Sequence, residues 1–263
     1  MTDDGPHATA AVKSVLVTGA TGTLGRPVTE RLRAAGHRVR TLSRHADPDD
    51  PRAHAVDLRT GTGLTEALDG ADVVVHCASS PTGGDIPAAA HLIRAARRAG
   101  IDHLVYISIV GVDRVPLGYY RTKHTVEQAL AAGPLGWTVL RTTQFHDLVR
   151  ALCARMARLP VLPCPDIPLQ PIDADEVAAR LAQLAQGPPA GRVPDMGGPQ
   201  VRTLPDLARA YLDARDLERR VRPIRLPGRM MAACREGGLL APDRTVGSTT
   251  FEEFLARRQT ESP

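Results

Sequence analysis

The sequence of 263 residues predicts an α/β protein built on a doubly wound, Rossmann-like parallel sheet with a smaller C-terminal substrate lobe. Three observations indicate this fold. Strand and helix patterns alternate as far as about residue 160, which is typical of a parallel sheet covered by helices on both faces. The run 71–77 is nearly continuous in apolar residues, as in a strand buried on both faces. A glycine-rich turn separates the first strand from the first helix.

The individual elements follow from hydrophobic periodicity and from the positions of Gly and Pro. Strands are predicted at 14–17, 37–43, 53–56, 71–77, 103–109 and 137–141, with helices at 26–35, 64–68, 87–98 and 119–132. Right-handed crossovers between these strands give the doubly wound arrangement. Beyond residue 160 the pattern is mixed, with a helix at 174–186 capped by Asp173, a helix at 205–214, a strand at 221–226, a helix from about 227 and a short helix at the last two phenylalanines.

The glycine turn carries the strongest functional signal. Gly19 permits the tight turn, Gly22 lets backbone approach a pyrophosphate, and Gly25 lets the helix pack against the strand. The helix N-terminus offers free N–H groups to phosphate oxygens. Glycines also mark ordinary turns, so that alternative stays open. The predicted cofactor contacts in this turn are Gly19, Thr21, Gly22, Thr23, Leu24 and Gly25.

The end of the second strand indicates the type of cofactor. An NAD site places a carboxylate about 20 residues beyond the glycines, whereas an NADP site has an arginine nearby. No carboxylate occurs from Gly36 to Ala46, and the strand ends at Ser43 and Arg44. Arg44 can form two hydrogen bonds with a 2′-phosphate and Ser43 can add a third. The sequence therefore predicts NADP(H), unless Arg44 is only a solvated charge at the strand end.

Composition narrows the remaining classes of function. The formal charge is +4 and aromatic residues make up 3% of the chain, with Arg interleaved with Asp and Glu, so we expect no nucleic-acid partner. Neither a membrane-length apolar run nor a secretory pattern occurs. The four cysteines lack C-x-x-C spacing and the nine histidines lack metal-ligand spacing, so we expect a cytoplasmic protein with a small-molecule substrate and no metal. Oligomeric state stays open.

The turn reads Thr18-Gly-Ala-Thr-Gly-Thr-Leu-Gly25 and resembles the short-chain dehydrogenase/reductase superfamily, in particular its atypical, NmrA-like branch of NAD(P)H-binding proteins. The resemblance extends into the C-terminal half through the segments 169–177 and 196–199. The end of the strand–helix alternation near residue 160 predicts a cofactor region at 12–160 and a substrate lobe at 161–263 in one globular unit, and residues 1–11 are expected to be a disordered tail. The resemblance implies that Asp57 and Leu58 contact the adenine and that Cys77, Ala78 and Ser79 lie along the ribose. Asp57 as a turn residue and Cys77 as a packing residue are the alternatives.

The same resemblance implies the catalytic residues. Tyr119 and Lys123 are four apart, so they share one face of the predicted helix after the fifth strand. Ser108 ends that strand. In the family the tyrosine is the general acid or base, the lysine holds the nicotinamide ribose and lowers the tyrosine pKa, and the serine orients the substrate oxygen. Tyr120 competes with Tyr119 for the role.

The segment after the sixth strand lies on the nicotinamide side of the predicted cleft. Thr142 is expected to contact the cofactor. Gln144, Phe145 and His146 are expected to line the substrate pocket, with a core or surface histidine as the alternative for His146.

These patterns favour an NADP(H)-dependent oxidoreductase that acts on a small organic carbonyl, quinone or enone. A non-catalytic NAD(P)-binding sensor of the NmrA type would keep the glycine turn and Arg44 but would not need Tyr119. An isomerase or cyclase on the same fold is the third alternative.

Overall fold

A computed structural model describes residues 11–47, 49–80 and 83–260. All but the last residue of the predicted tail 1–11 therefore lies outside the described residues. Within them, a seven-stranded sheet has the order β3-β2-β1-β4-β5-β6-β9, and every pairing in it is parallel. The predicted α/β fold with a doubly wound sheet is confirmed.

The strands of this sheet are β1 (Ser14–Thr18), β2 (Arg38–Ser43), β3 (Ala53–Ala55), β4 (Val73–His76), β5 (His103–Ile109), β6 (Trp137–Thr142) and β9 (Gly191–Arg192). Two small sheets pair β7 (Val161–Pro165) with β11 (Arg220–Ile224), and β8 (Pro168–Leu169) with β10 (Arg202–Thr203). The helices are α1 (Gly25–Ala34), α2 (Leu64–Leu68), α3 (Asp85–Arg98), α4 (Gly118–Ala131), α5 (His146–Met156), α6 (Ala174–Gln186), α7 (Leu204–Ala214), α8 (Arg229–Arg235) and α9 (Phe251–Thr260), with a 3₁₀ turn at Pro242–Arg244.

Strand β1 lies where the order of the sheet reverses. Val15 pairs with Val39 of β2 on one side and with Val73 of β4 on the other. The chain leaves β1 through α1 toward β2 and returns on the opposite side as β4. A doubly wound sheet opens a crevice beyond the carboxyl ends of its strands at such a point. The predicted site residues follow these strand ends.

Alternation of side chains along the strands builds a core on each face of the sheet. Val15 and Val17 belong to the core beneath α1 and α6. Leu16 faces the opposite way, into the core beneath α2, α3 and α4.

The division predicted at residue 160 does not follow the packing. Helix α6 supplies Val177 and Leu181 to the core shared with β1 and β4, and β9 pairs with β6 as the last strand of the main sheet. Both elements lie beyond residue 160 in the chain. They return to the main sheet because a parallel strand and an apolar helix face are best buried there. The lobe has its own core, which also takes in residues of the loop after β5. Asp173 caps α6 as predicted, accepting from the Asp175 backbone N–H at 2.9 Å.

A buried ion pair fixes α4 to the sheet. Arg141 of β6 donates from Nε and Nη2 to the two carboxylate oxygens of Glu127 at 2.8 and 2.6 Å, and from Nη1 to Asp113 at 2.7 Å. The side chains of Arg141 and Glu127 are 5% and 10% exposed. Such a fork of charged hydrogen bonds permits little rotation of either partner. Because α4 carries Tyr119 and Lys123, this pair also sets their distance from the sheet.

We expect Arg141→Met to lower the free energy of unfolding by about 3–5 kcal/mol, because it leaves the Glu127 carboxylate buried without its cation. Denaturant unfolding measures the change. Arg192→Met is the matched control, since it breaks the more exposed Arg192–Asp195 pair and is expected to cost less than about 1 kcal/mol. Equal losses in the two variants would contradict the anchoring role.

Candidate functional site

A cavity of about 440 Å³ lies beyond the carboxyl ends of β1, β2 and β4. Ten of the predicted cofactor residues line it: Gly19, Thr21, Gly22, Ser43, Arg44, Asp57, Leu58, Cys77, Ala78 and Ser79. The sequence reasoning missed other residues of its lining, among them Arg59, His76 and Asp85. The predicted contacts Thr23, Leu24, Gly25, Lys123 and Thr142 lie outside that lining.

The glycine turn has little room for side chains. Gly19 adopts a φ of +67°, and a Cβ on it would lie 2.7 Å from the backbone of Ala78 in the β4–α3 loop. A Cβ on Gly25 would lie 2.1 Å from the Gly19 carbonyl oxygen. A Cβ on Gly22 would meet only that same oxygen, at 3.3 Å, and would otherwise extend into open space beside the cavity. Gly19 and Gly25 are therefore required by the fold, whereas Gly22 leaves room for a ligand.

The first turn of α1 has unused hydrogen-bonding capacity. Its N-cap residue, Leu24, makes no side-chain capping bond, and its first turn has no acidic side chain. Leu24 itself is buried in the core beneath the turn. No side chain of the helix's own first turn therefore neutralises its positive end.

Two arginines and one carboxylate lie at the β2 end of the cavity. Arg44 is exposed and makes no salt bridge within the described part of the chain. Ser43 donates from Oγ to the His45 carbonyl oxygen at 2.8 Å. Arg59 donates to both oxygens of Asp57, with Nη2–Oδ2 at 2.9 Å, and its hydrogen bonds lower the Asp57 pKa. The carboxylate predicted to contact adenine thus already has a partner, and Arg44 is the cation left available.

A buried polar layer supports the β4 side of the cavity. His76 shares a hydrogen bond of 2.7 Å between its Nδ1 and Thr18 Oγ1, and its ring stacks on Tyr106 at 5.5 Å. Burial, together with the charge of Lys123, lowers the His76 pKa to about 3, so the ring stays neutral. Burial raises the Cys77 pKa to about 12. Cys77 packs against the core beneath α1 and α6 while also lining the cavity, and a thiol with a raised pKa is a weak nucleophile.

The three predicted catalytic residues lie on neighbouring elements. Lys123 is buried, donates from Nζ to the Ile107 carbonyl oxygen at 3.2 Å, and lies 4.7 Å above the centre of the Tyr106 ring. Its Nζ is 5.9 Å from the centre of the Tyr119 ring. Burial lowers the Lys123 pKa to about 8. Ser108 is buried, and its Oγ has no hydrogen-bond partner among the described residues.

Tyr119 is joined to the cavity through Ser79. Its hydroxyl oxygen lies 2.5 Å from Ser79 Oγ, and Ser79 Oγ donates to Asp85 Oδ2 at 2.7 Å. Burial raises the Tyr119 pKa, and the charge of Asp85 acts in the same direction. The family resemblance implied a lowered pKa. In this structure removal of water from the phenol outweighs the Ser79 hydrogen bond, which lowers the Tyr119 pKa.

The predicted substrate-pocket residues hold the C-terminal lobe to the sheet. Gln144 donates from Nε2 to the Leu239 carbonyl oxygen at 3.0 Å and accepts from the Gln170 backbone N–H at 3.2 Å. Phe145 packs against the core beneath α1 and α6. Thr142 is buried at the end of β6.

His146 occupies the core of the lobe instead of a pocket. Its ring lies 5.7 and 5.2 Å from the rings of Phe251 and Phe254, and its Nε2 is 3.0 Å from the Thr249 carbonyl oxygen. The residue is 1% exposed. The packing role was the alternative interpretation of this histidine.

Comparison with protein families and known proteins gives two kinds of match. A family model described as NAD(P)H-binding matches residues 19–155. The (4-alkanoyl-5-oxo-2,5-dihydrofuran-3-yl)methyl phosphate reductase of Streptomyces griseus is 33% identical over 199 residues, which cover 72% of this chain and 69% of that protein. An uncharacterized protein of Mycobacterium tuberculosis is 35% identical over 156 residues, but the matched part covers 57% of this chain and only 17% of that protein.

Solved structures show the same fold. The NADPH-dependent quinone oxidoreductase of Escherichia coli, complexed with NADPH, superposes with a TM-score of 0.79 at 22% identity, covering 93% of this chain and 99% of that one. The triphenylmethane reductase of Citrobacter sp., complexed with NADP(H), gives a TM-score of 0.76 at 18% identity with the same coverage.

No helix in the ranges given above is both long enough and apolar enough to span a bilayer. Those ranges also contain no group of three or more His, Cys, Asp or Glu side chains arranged to hold a metal ion.

We expect Gly22→Val to fold but to lose dinucleotide binding, because its side chain extends into the space beside the cavity. Binding is measured by NADPH fluorescence enhancement and folding by thermal unfolding. Gly25→Ala is the contrasting variant, since its added methyl group meets backbone and should destabilise the fold itself. A folded Gly22→Val protein that retains the fluorescence enhancement would show that the turn has only a structural role.

Proposed function

Because the chain belongs to the NAD(P)H-binding family, we propose that it is an NADP(H)-dependent oxidoreductase that transfers hydride to or from a small organic carbonyl, quinone or enone. Within that family we assign it to the short-chain dehydrogenase/reductase type and its atypical, NmrA-like branch. The observation that carries the proposal is the 2.5 Å hydrogen bond between Tyr119 and Ser79. It brings a phenol, which can donate or accept a proton, to the wall of the dinucleotide cavity.

The described residues fit a dinucleotide phosphate. Gly22 leaves room beside the cavity for a pyrophosphate, and the N-terminus of α1, which has no side-chain cap, offers N–H donors to it. Arg44, a guanidinium with no salt bridge among the described residues, lies just beyond the end of β2, where a 2′-phosphate would lie. Arg59 adds positive charge on the same side, although Asp57 neutralises part of it. These contacts favour NADP(H) over NAD(H).

The catalytic roles follow from the chemistry of the side chains. Bound NADPH supplies a hydride at its nicotinamide ring. Tyr119 supplies or removes the proton at the substrate oxygen. Lys123, once its ammonium faces the ring, stabilises the phenolate that remains. Ser108 has a buried hydroxyl without a partner among the described residues, which suits it to orient the substrate oxygen.

One observation favours a second candidate function, a non-catalytic NAD(P)-binding sensor. Lys123 is buried against the Ile107 carbonyl oxygen, and the Tyr119 pKa is raised. Both features leave the pair less activated than an acid-base catalyst requires. Consumption of NADPH with a panel of quinones, enones and ketones distinguishes the two functions. Tight binding of NADPH without turnover of any substrate would favour the sensor.

We expect NADPH to bind more tightly than NADH, and Arg44→Asp to weaken NADPH binding by about 1.5–3 kcal/mol through loss of a charged hydrogen bond. Calorimetry measures both affinities. Arg38→Asp, an exposed change at the opposite end of β2, controls for the altered net charge and should leave the affinity nearly unchanged. Equal affinities of the original protein for the two cofactors would rule out the assigned role of Arg44.

We expect Tyr119→Phe to reduce turnover by about 10²–10⁴-fold with little change in NADPH affinity, since it removes the general acid and no cofactor contact. Lys123→Ala should reduce both turnover and affinity. Tyr120→Phe is the matched control, because Tyr120 is rotated by about 100° around α4 and packs in the lobe core. Full activity of Tyr119→Phe on a quinone would mean that hydride transfer proceeds without a tyrosine acid.

A further inference from the structure

A chain of three hydrogen-bonding groups runs from α4 across the cavity to the start of α3. The Tyr119 hydroxyl contacts Ser79 Oγ at 2.5 Å, and Ser79 Oγ contacts Asp85 Oδ2 at 2.7 Å. The other carboxylate oxygen of Asp85 accepts from the Ser80 backbone N–H at 2.7 Å. Asp85 is 8% exposed, yet it forms part of the cavity lining. A mostly buried carboxylate therefore borders the cavity, where it can exchange a proton with water.

The direction of these hydrogen bonds follows from the number of protons available. A hydroxyl group has one proton to donate, and an ionised carboxylate can only accept. Ser79 donates its proton to Asp85, so Tyr119 must be the donor to Ser79. With Asp85 ionised, the lone pairs of the Tyr119 oxygen are left for the substrate. With Asp85 protonated, the Ser79–Asp85 and Tyr119–Ser79 bonds can both reverse, and the Tyr119 proton can face the substrate.

We propose that Asp85 is a positioning residue and the outer end of a proton relay, Asp85–Ser79–Tyr119, that serves the substrate oxygen. The inference rests on the proposed oxidoreductase function and names the path by which its proton reaches Tyr119. It assigns a role to a carboxylate that neither the glycine turn nor the Tyr119–Lys123 spacing indicates.

The protons and electrons of the proposed reaction are accounted for in both directions. During reduction the Tyr119 O–H bond breaks and a substrate O–H bond forms. Tyr119 then takes the proton of Ser79, the Asp85 carboxylate takes a proton from water in the cavity, and Asp85 passes that proton to Ser79, which restores the carboxylate. During oxidation the same bonds form and break in reverse, and the substrate proton leaves through Asp85. NADPH or NADP⁺ carries the electron pair, so each turnover exchanges one proton with solvent.

The groups around Asp85 are suited to this role. Tyr119 and Lys123 face it from α4, and Tyr106 faces it from β5. The Asp85 charge favours the Lys123 ammonium and opposes formation of a phenolate at Tyr119. Lys123 and Asp85 therefore act on Tyr119 with opposite sign. Proton uptake by Asp85 removes the opposing charge.

The first test needs no substrate and no cofactor. Ultraviolet titration follows ionisation of the four tyrosines, and the difference between each protein and its Tyr119→Phe counterpart isolates Tyr119. Asp85→Asn keeps the shape of the side chain but removes its charge, so the Tyr119 midpoint should fall by about 1 pH unit. Asp102→Asn, an exposed change in the loop before β5, should leave the midpoint unchanged. An unchanged midpoint in folded Asp85→Asn would overturn the coupling, whether or not the protein is an oxidoreductase.

The second test follows proton transfer during turnover on the substrate identified by the quinone, enone and ketone panel. Asp85→Asn and Ser79→Ala lie on different segments of the relay, and each should lower kcat by about 10²-fold. The KM for NADPH should change little in Asp85→Asn. The dependence of kcat on the fraction of D₂O should be curved in the original protein and linear in the variants, because several protons move together only in the intact relay.

Retention of full kcat by both variants would contradict the relay. Absence of any turnover in the original protein would instead contradict the oxidoreductase proposal and leave the titration to decide the coupling.

Discussion

The site depends on the close approach of two backbone segments, the turn after β1 and the loop after β4. Gly19 lies so close to Ala78 that a Cβ would fall 2.7 Å from its backbone, and a Cβ on Gly25 would fall still closer, 2.1 Å from the Gly19 carbonyl oxygen. This contact holds the N-terminus of α1 beside the end of β4, at the reversal point of the sheet. The cavity exists because the glycines bring the helix to this position and because Gly22 leaves a space there.

The two ends of the cavity differ in charge and in hydrogen bonding. At the β2 end, Arg44 is available to an anion, while Arg59 already holds Asp57. At the β4 end, the buried, neutral rings of His76 and Tyr106 stack on each other, and the Lys123 ammonium lies over the Tyr106 ring. Helix α4 reaches this end because Arg141 and Glu127 fix it to β6. The cavity thus has a charged end beside β2 and a more buried end beside β4.

Sequence patterns predicted the parallel sheet, most of its strands and the residues of the glycine turn, because these follow from periodicity and from local backbone requirements. They also placed Ser43 and Arg44 beside the turn, since parallel strands end at the same edge of a sheet. Asp85 and His76 were missed because their roles arise from contacts across the fold, with Ser79 and Thr18 respectively. His146 was assigned to a pocket from its place after β6, whereas the packing of α9, invisible in local sequence, encloses it. The return of α6 and β9 to the sheet from beyond residue 160 is likewise a long-range contact that local patterns do not show.

The central claim is that the cavity at the reversal point holds NADP(H), with its reactive end toward Tyr119. A crystal structure of the protein with bound NADPH tests this most directly. The account predicts the pyrophosphate at Gly22 and the N-terminus of α1, the 2′-phosphate on Arg44, and the nicotinamide beside the Tyr119 hydroxyl. A dinucleotide bound with its 2′-phosphate away from Arg44, or with its nicotinamide remote from Tyr119, would contradict it.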